Sequence, residues 1–217
     1  MKKIGVFGTG MVGNAIATKL VQLGYEVMMG SRTPDNEKAL AWAKQQGNNA
    51  STGTFASAAA FGDIVFNCTQ GDVSLEVMKQ AGNENLRNKI LIDVSNPLLF
   101  EPGKRPALMP GLCNTNSLGE SIQQFLPDTH VVKTLNIVNC EVMVNASKCG
   151  GDATMLLAGN NTTAKASVTE LLQQFGWNDI IDMGDITHAR SSEMMLPVWL
   201  SVYGATKKGF VAFKMVR

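Results

Sequence analysis

The sequence predicts an α/β fold in which a doubly wound, mostly parallel sheet carries helices on both faces and ends in a small C-terminal α/β extension. Two observations predict it. Short apolar runs typical of buried strands alternate with segments whose apolar residues recur at helical spacing. A glycine-rich turn at residues 8–13 joins the first apolar run to the first helical segment. Parallel strands need such crossovers, so this order favours a parallel sheet.

The first half of the chain gives the clearest elements. The apolar run 4–7 predicts the first strand, and residues 15–21 follow the glycine turn with apolar residues at helical spacing. Leu23-Gly24 is typical of a helix end. We predict further strands at 25–29, 49–51, 63–68 and 89–94, with helices at 37–46, 54–61 and 75–81.

In the second half the alternation changes. A proline-rich loop at 97–110 leads to a predicted helix at 117–125 and a sixth strand at 131–136, which completes a sheet of the Rossmann type. We therefore predict a Rossmann domain at 1–136 and a small α/β region at 137–217. In that region we expect strands at 154–159 and 179–183, a helix at 163–175 and a methionine-rich helical segment at 189–213, interrupted by Pro197.

The turn after the first strand has the glycine spacing of a dinucleotide-binding fingerprint. Gly8 permits the sharp bend, Gly10 leaves room for a pyrophosphate, and Gly13 lets the helix pack closely on the sheet. The helix N-terminus then offers free N–H groups and a partial positive charge to the phosphates. The residues expected to bind the cofactor here are Gly8, Thr9, Gly10, Met11, Val12 and Gly13.

The end of the second predicted strand selects the dinucleotide. NAD-binding proteins carry an acidic residue there, about 20 residues after the glycines, which accepts hydrogen bonds from the ribose. This chain has Ser31, Arg32 and Thr33 instead. A 2′-phosphate needs donors and positive charge, which a guanidinium fork and two hydroxyls supply. The cofactor predicted is NADP(H).

In an open parallel sheet the ligand lies at the carboxyl ends of the strands, where the strand order reverses. Besides the glycine turn, those ends are predicted at Thr69-Gln70, Ser95-Asn96-Pro97 and 136–140, and they are polar but neutral. None offers a side chain well placed for proton transfer, and Lys133 lies inside a strand pattern that suggests a structural role. We name no catalytic residue. Such a site favours hydride transfer between two cofactor rings, which needs orientation more than acid–base chemistry.

Composition argues against several partner classes. A formal net charge of +1 gives no reason to expect nucleic acid or an anionic membrane as a partner. No apolar stretch approaches the roughly 20 residues that span a bilayer. The four cysteines lack paired short spacings, so neither a metal site nor a disulfide framework is expected. We expect a cytoplasmic protein.

Several segments together carry a family resemblance: Gly8–Gly13, Gly30–Thr33, Asn96-Pro97-Leu98 and Val131–Asn136. They resemble the NADPH-dependent deazaflavin (coenzyme F420) oxidoreductase family and, equally, the cytosolic NADPH domain of the STEAP metalloreductases. The resemblance covers nearly the whole chain, because the ends of those domains are also similar to Asp182–Asp185, Ala189-Arg190 and Leu196-Pro197.

The resemblance implies roles for the strand ends. The glycine turn would bind the pyrophosphate, and Ser31, Arg32 and Thr33 the 2′-phosphate. The archaeal deazaflavin enzymes carry a histidine and a proline where this chain has Asn136 and Asn139, so the acceptor stays open between coenzyme F420 and a flavin (FMN or FAD). The residues implied to border the nicotinamide are Thr69, Gln70, Asn96 and Pro97, and those implied near both rings include Asn136, Asn139 and Cys140.

The predicted function is therefore hydride transfer between NADPH and a small flavin- or deazaflavin-type acceptor, which could in turn reduce ferric iron. A second interpretation is the reduction of a small imine or carbonyl, although the families that do this have larger helical C-terminal domains. A third is a non-catalytic NADP(H)-binding sensor or subunit. The apolar C-terminal segment and the resemblance predict a homodimer.

Overall fold

The structure, a computed structural model, describes residues 2–217 and is organised by one eight-stranded sheet with a separate two-stranded hairpin. The strands are β1 (Lys3–Phe7), β2 (Glu26–Ser31), β3 (Ala50–Thr54), β4 (Ile64–Asn67), β5 (Ile90–Asp93), β6 (Leu98–Leu99), β7 (Ala107–Leu108), β8 (His130–Thr134), β9 (Thr154–Gly159) and β10 (Asp179–Asp182). The α-helices are α1 (Met11–Gln22), α2 (Glu37–Gln46), α3 (Phe55–Phe61), α4 (Ser74–Ala81), α5 (Asn83–Leu86), α6 (Leu118–Phe125), α7 (Cys140–Met143), α8 (Thr162–Gln174) and α9 (Ala189–Thr206).

The strand order across the large sheet is β10-β9-β8-β5-β4-β1-β2-β3. The six strands from β8 to β3 in this order are parallel, whereas β9 pairs antiparallel with β8, and β10 runs parallel to β9. The chain builds outward from β1 first towards β3 and then towards β8. The strand order therefore reverses between β1 and β4, which is where open α/β sheets bind their ligands.

Helices cover both faces of this sheet. On one face Ile16 and Leu20 of α1 join Val6 of β1 in a fully buried cluster, and on the other Met78 of α4 joins Val65 of β4. Strands covered on both faces are apolar without alternation, which explains the continuous apolar runs in the sequence. The predicted α/β class with a mostly parallel Rossmann-type sheet is confirmed.

Two predictions about irregular segments are wrong. The proline-rich loop contains a short hairpin, in which β6 pairs antiparallel with β7. The last helix is not interrupted at Pro197 and ends at Thr206, where Lys207 adopts a left-handed conformation, instead of running to residue 213. Packing of the buried side chains of α9, Glu193 and Leu196 among them, outweighs the backbone bond that the proline removes.

The residues after Lys207 run along the sheet. The Phe213 carbonyl accepts a hydrogen bond from the Thr154 amide (2.8 Å), and the Val211 carbonyl accepts one from the Trp199 indole (2.9 Å). Their apolar character reflects packing beside β9 and not helix formation.

The region 137–217 adds β9 and β10 to the same sheet. The division at residue 136 stays a prediction, and Met1, with which the first predicted domain begins, lies outside the described residues. Within residues 2–217, no helix is both long and apolar enough to cross a bilayer.

Candidate functional site

The glycine turn between β1 and α1 has the backbone geometry that the sequence predicts. Gly8 lies at φ +107°, which glycine adopts without steric cost. A Cβ on Gly13 would lie 2.0 Å from the Gly8 carbonyl oxygen, so the helix can begin this close to the turn only with glycine there. By contrast, a Cβ on Gly10 would meet no heavy atom of the described chain within 4 Å, its chain neighbours aside. A side chain would therefore be strained at Gly8 and would clash at Gly13, whereas the space beside Gly10 is free.

The N-terminus of α1 faces this open space. Gly10 is its N-cap residue and supplies no side-chain cap to the first amides of the helix. Uncapped N–H groups and the helix dipole together attract an anion. Met11, the first residue of the helix, is 81 % exposed, so the start of α1 lies at the surface.

The end of β2 lies directly beside the turn, because the Gly8 amide donates to the Gly30 carbonyl (3.0 Å). Ser31 is buried, and its hydroxyl donates to the Thr33 carbonyl, which shapes the loop. Arg32 and Thr33 are exposed. Within residues 2–217 the Arg32 guanidinium forms no ion pair, so its charge is available to a ligand next to the open part of the turn.

The ends of β4 and β5 meet at the same edge. A Cβ on Gly71 would lie 2.1 Å from the Asn96 carbonyl oxygen, so the backbone of the segment after β4 packs directly against that of the segment after β5. Thr69 is half-buried and its methyl group lies close to Gly8. These contacts bring Thr69 and Gln70 together with Asn96 and, buried behind it, Pro97.

Asn96 and Asn136 connect the ends of β5 and β8. The Asn96 amide nitrogen donates to the Asn136 carbonyl (2.8 Å), and the Asn136 amide nitrogen donates to the Asn96 side-chain oxygen (2.9 Å). Leu135, fully buried before Asn136, has φ +63°. A leucine in this conformation carries backbone strain, which clusters at functional sites because the surrounding structure must hold it.

Asn139 and Cys140 lie at the start of α7. The Asn139 side-chain oxygen caps α7 by accepting from the Glu141 amide (2.9 Å), so it is committed to the helix start. Cys140 is half-buried and lines, with Thr9, Gly10 and Met11, a groove of about 810 Å³ that continues along α1. Burial raises the pKa of the Cys140 thiol, as does the neighbouring Glu141 carboxylate, so the thiol is not activated as a nucleophile.

Beneath the strand ends lies a buried ionic cluster that the sequence analysis missed. The Lys133 ammonium donates to the carboxylates of Asp93 (2.8 Å) and Glu193 (2.9 Å), and these three side chains are at most 1 % exposed. Burial lowers the pKa of Lys133, but the two carboxylates outweigh burial and raise it above the ordinary value. Lys133 therefore stays charged and paired, away from any ligand.

A signal for this cluster exists in the sequence. Asn67, Asp93 and Lys133 end, or nearly end, three buried apolar strands and are neighbours in the strand register. Polar residues at equivalent positions of adjacent parallel strands point to the same side, so their contact could have been predicted. Glu193, from α9, could not, since its approach depends on tertiary packing.

A second cavity, of about 610 Å³, lies between the β6–β7 hairpin and α9. Arg105 and Lys207 give it positive charge, and both are exposed. Pro197 and Tyr203 contribute apolar surface, and Tyr203 stacks on Trp199 with ring centroids 5.6 Å apart. The hairpin begins directly after Pro97, so this cavity and the strand-end site share one segment of chain.

Comparison with known proteins places the chain in a family. Residues 3–97 match the family model of NADP oxidoreductases described as coenzyme F420-dependent. A solved structure from Arthrobacter sp. FB24, given as a candidate F420-dependent NADP reductase, is 43 % identical over the full length of both chains with a TM-score of 0.95.

Two curated relatives are more distant. The F420-dependent NADP reductase of Methanocaldococcus jannaschii is 28 % identical over 92 % of each chain. Metalloreductase STEAP3 of Rattus norvegicus is 28 % identical over 91 % of this chain, which spans only 38 % of the STEAP3 length. The resemblance predicted from the sequence is confirmed: this chain belongs to the coenzyme F420-dependent NADP oxidoreductase family.

Proposed function

We propose that this NADP-dependent oxidoreductase transfers hydride between NADPH and a flavin- or deazaflavin-type acceptor. One observation carries the proposal. At the edge where the strand order reverses, the backbone beside Gly10 is open and could form a phosphate cradle. The same edge carries neutral amides and hydroxyls at Thr69, Asn96 and Asn136, a surface that we call the shelf. A site of this kind orients two rings and leaves the chemistry to them.

The cradle fits the pyrophosphate of the dinucleotide. Gly10 leaves the backbone bare where a phosphate would approach, and the uncapped amides of α1 offer donors and a favourable dipole. Thr9, Met11 and Val12 would line this phosphate site through their backbone. Gly8 and Gly13 would act indirectly, since their missing side chains allow the tight turn.

The loop after β2 would hold the 2′-phosphate. Among residues 2–217 the Arg32 guanidinium has no ion-pair partner, and Thr33 offers a hydroxyl, while Ser31 orders the loop through its bond to the Thr33 carbonyl. Charge-assisted hydrogen bonds from a guanidinium to a phosphate are stronger than those between neutral groups. The absence of a carboxylate at 31–33 supports a preference for NADPH over NADH.

The neutral shelf would orient the nicotinamide. Thr69, Gln70, Asn96 and Pro97 would border the nicotinamide ribose and ring, with Asn136 behind them. These residues would hold the nicotinamide C4 carbon of NADPH towards the acceptor ring. NADPH would supply a hydride there and become NADP⁺, and the acceptor ring would gain that hydride and a proton from solvent. Asp93 and Lys133 are occupied by each other below this shelf, which supports a mechanism without a protein acid or base.

The acceptor would approach from the α9 side. A cavity of about 610 Å³ has the size of a small-molecule site, and Arg105 and Lys207 favour an acceptor that carries a phosphate group. Coenzyme F420 and FMN carry one, whereas riboflavin does not. Cys140 and Asn139 would lie on the opposite, glycine-turn side.

The test is NADPH oxidation by the purified protein, followed at 340 nm with coenzyme F420, FMN, FAD or riboflavin. We expect oxidation that depends on the acceptor, with a lower KM for FMN than for riboflavin. No acceleration by any of the four would contradict the proposal.

The assembly and location are further proposals. Met194 and Val198, one helical turn apart, expose apolar surface along α9 (38 % and 53 %), which supports a homodimer through this helix. Light scattering of the purified protein would give the mass, and a monomer at micromolar concentration would contradict it. A cytoplasmic location is expected from the family and is tested by fractionation.

A further inference from the structure

The buried cluster below the strand ends forms one connected chain of hydrogen bonds. Asn67, Asp93 and Lys133 are register neighbours on β4, β5 and β8, and none of the three is exposed. Asn67 Nδ2 donates to Asp93 Oδ1 (2.9 Å), and Lys133 Nζ donates to Asp93 Oδ2 (2.8 Å). At the far end Glu193 reaches in from α9. The C-terminal helix is thus linked to the middle of the sheet.

The directions of these bonds are fixed by chemistry. An ammonium only donates, and a carboxylate only accepts. Because Asp93 can only accept, the nitrogen of the Asn67 amide must face it, and the Asn67 oxygen must face Thr69. That oxygen accepts from the Thr69 hydroxyl (2.7 Å) and amide (3.3 Å). The orientation of Thr69 therefore follows from the charge on Asp93.

The same ion pair holds the backbone in front of Asn96. Asp93 accepts from the Ser95 amide (3.2 Å) and hydroxyl (2.6 Å), while Lys133 donates to the Ser95 carbonyl. Ser95 is thereby held from both sides. Since Asn96 follows directly, two residues of the proposed nicotinamide shelf, Thr69 and Asn96, depend on the position of one ammonium.

Glu193 completes the surroundings of that ammonium. The three N–H bonds of Lys133 meet three acceptors: Asp93, the Ser95 carbonyl and Glu193. The Glu193 carboxylate also accepts from the first two amides of α6, Leu118 (2.9 Å) and Gly119 (3.1 Å). Two carboxylates against one ammonium leave an excess negative charge, which the N-terminal end of α6 offsets.

We infer that Glu193, acting through Lys133 and Asp93, is a positioning residue that sets how firmly the site holds the nicotinamide half of the dinucleotide. The inference rests on the proposed function. A glutamine at 193 would have a single acceptor oxygen for three donors, which are the Lys133 ammonium and the first two amides of α6. Its NH₂ group would face at least one of these donors. The ammonium would lose a charged partner, so its position against Asp93 and the Ser95 carbonyl, on which Thr69 and Asn96 depend, would be less firmly fixed.

The test compares two ligands and two variants. NADPH carries the nicotinamide, whereas 2′,5′-ADP carries only the adenine and 2′-phosphate half. The variant is Glu193→Gln, and the matched control is Glu120→Gln, which removes the Arg190–Glu120 ion pair between the same two helices, α6 and α9. Binding is measured by calorimetry and by the fluorescence of bound NADPH.

For Glu193→Gln we expect the Kd of NADPH to rise about tenfold, with reduced nicotinamide fluorescence, while the Kd of 2′,5′-ADP changes less than about twofold. Glu120→Gln should change both by less than about twofold. Equal changes for the two ligands in Glu193→Gln, or none, would overturn the inference.

If Glu193→Gln does not fold, Glu193→Asp takes its place, with the same selective loss expected and the same outcomes against it. Failure of the unaltered protein to bind either ligand would instead contradict the proposed function.

Discussion

Asn96 and Asn136 hold each other across the ends of β5 and β8 through two hydrogen bonds of 2.8 and 2.9 Å. Asn136 is only 2 % exposed and follows Leu135 at φ +63°. The left-handed conformation costs a non-glycine residue about 1–2 kcal/mol. The amide pair therefore opposes backbone strain at the point where the proposed nicotinamide shelf turns.

The first prediction concerns this pair. Asn96→Ala leaves the buried Asn136 amide without a partner, which should lower the free energy of unfolding by about 1–3 kcal/mol. The double variant with Asn136→Ala should lose less than the sum of the two single changes, by about 1 kcal/mol, because both single changes remove the bond from the Asn136 amide to the Asn96 oxygen. Urea unfolding measures both. Asn178→Ala, at an exposed position, is the control, and strict additivity would show that the pair is not coupled.

The second prediction separates two glycines of one turn. Gly10→Val should leave the melting temperature nearly unchanged but abolish binding of NADPH and NADH, since its side chain would fill only the space proposed for the pyrophosphate. Gly13→Val should destabilise the fold, because its Cβ would meet the Gly8 carbonyl at 2.0 Å. Thermal unfolding and calorimetry distinguish the two. Retention of NADPH binding by Gly10→Val would exclude this turn as the phosphate site.

The third prediction concerns cofactor choice. Arg32→Ala should raise the Kd of NADPH about 10- to 100-fold, the range expected for losing charge-assisted bonds to a phosphate, and leave NADH almost unaffected. Arg87→Ala is the control, because Arg87 is an exposed arginine paired with Asp128 on another part of the surface. Equal losses for the two dinucleotides would mean that Arg32 does not contact the 2′-phosphate.

The fourth prediction concerns the buried charge at Lys133. Lys133→Met would leave Asp93 and Glu193 buried without their counterion, so unfolding should become easier by about 3–5 kcal/mol. The folded pKa of Lys133 lies above its unfolded value of about 10.4. The stability that the ammonium contributes is therefore complete below about pH 10.4 and is lost as pH rises through the folded pKa. Denaturation across pH 8–12 should show a steeper alkaline decline in the parent protein than in the variant.

If the free energies of unfolding of the parent protein and of Lys133→Met fall in parallel above pH 10.4, the pKa of Lys133 does not differ between the folded and unfolded states. Lys89→Met serves as the control lysine, because its ammonium donates to the Ala59 and Ala60 carbonyls of α3 and forms no ion pair with a carboxylate within residues 2–217.

Much of this fold could be predicted because its signals are local. The apolar runs, the glycine turn and the residues after β2 each report on a short segment of chain. The polar ends of β4, β5 and β8 could also be predicted, as could a structural role for Lys133, but the pairing of Lys133 with Asp93 just behind those ends was not predicted. Those two side chains neutralise each other across neighbouring strands, a relationship that composition does not reveal.

The remaining features depend on contacts distant in sequence. Glu193 lies 60 residues beyond Lys133 in the sequence, and only the packing of α9 brings them together. The tail after Lys207 looked helical because it is apolar, yet its backbone bonds to Thr154. The left-handed Leu135 has no sequence signature, since leucine rarely adopts that conformation.

The proposed function depends on the direct passage of hydride from NADPH to the acceptor ring on this protein. The measurement is single-turnover oxidation of NADPH deuterated at the nicotinamide C4 position, with coenzyme F420 as acceptor, because a deazaflavin receives hydride on a carbon that does not exchange with water. We predict that the deuterium appears on that ring carbon of reduced coenzyme F420. NADPH oxidation without deuterium in the acceptor would contradict direct transfer.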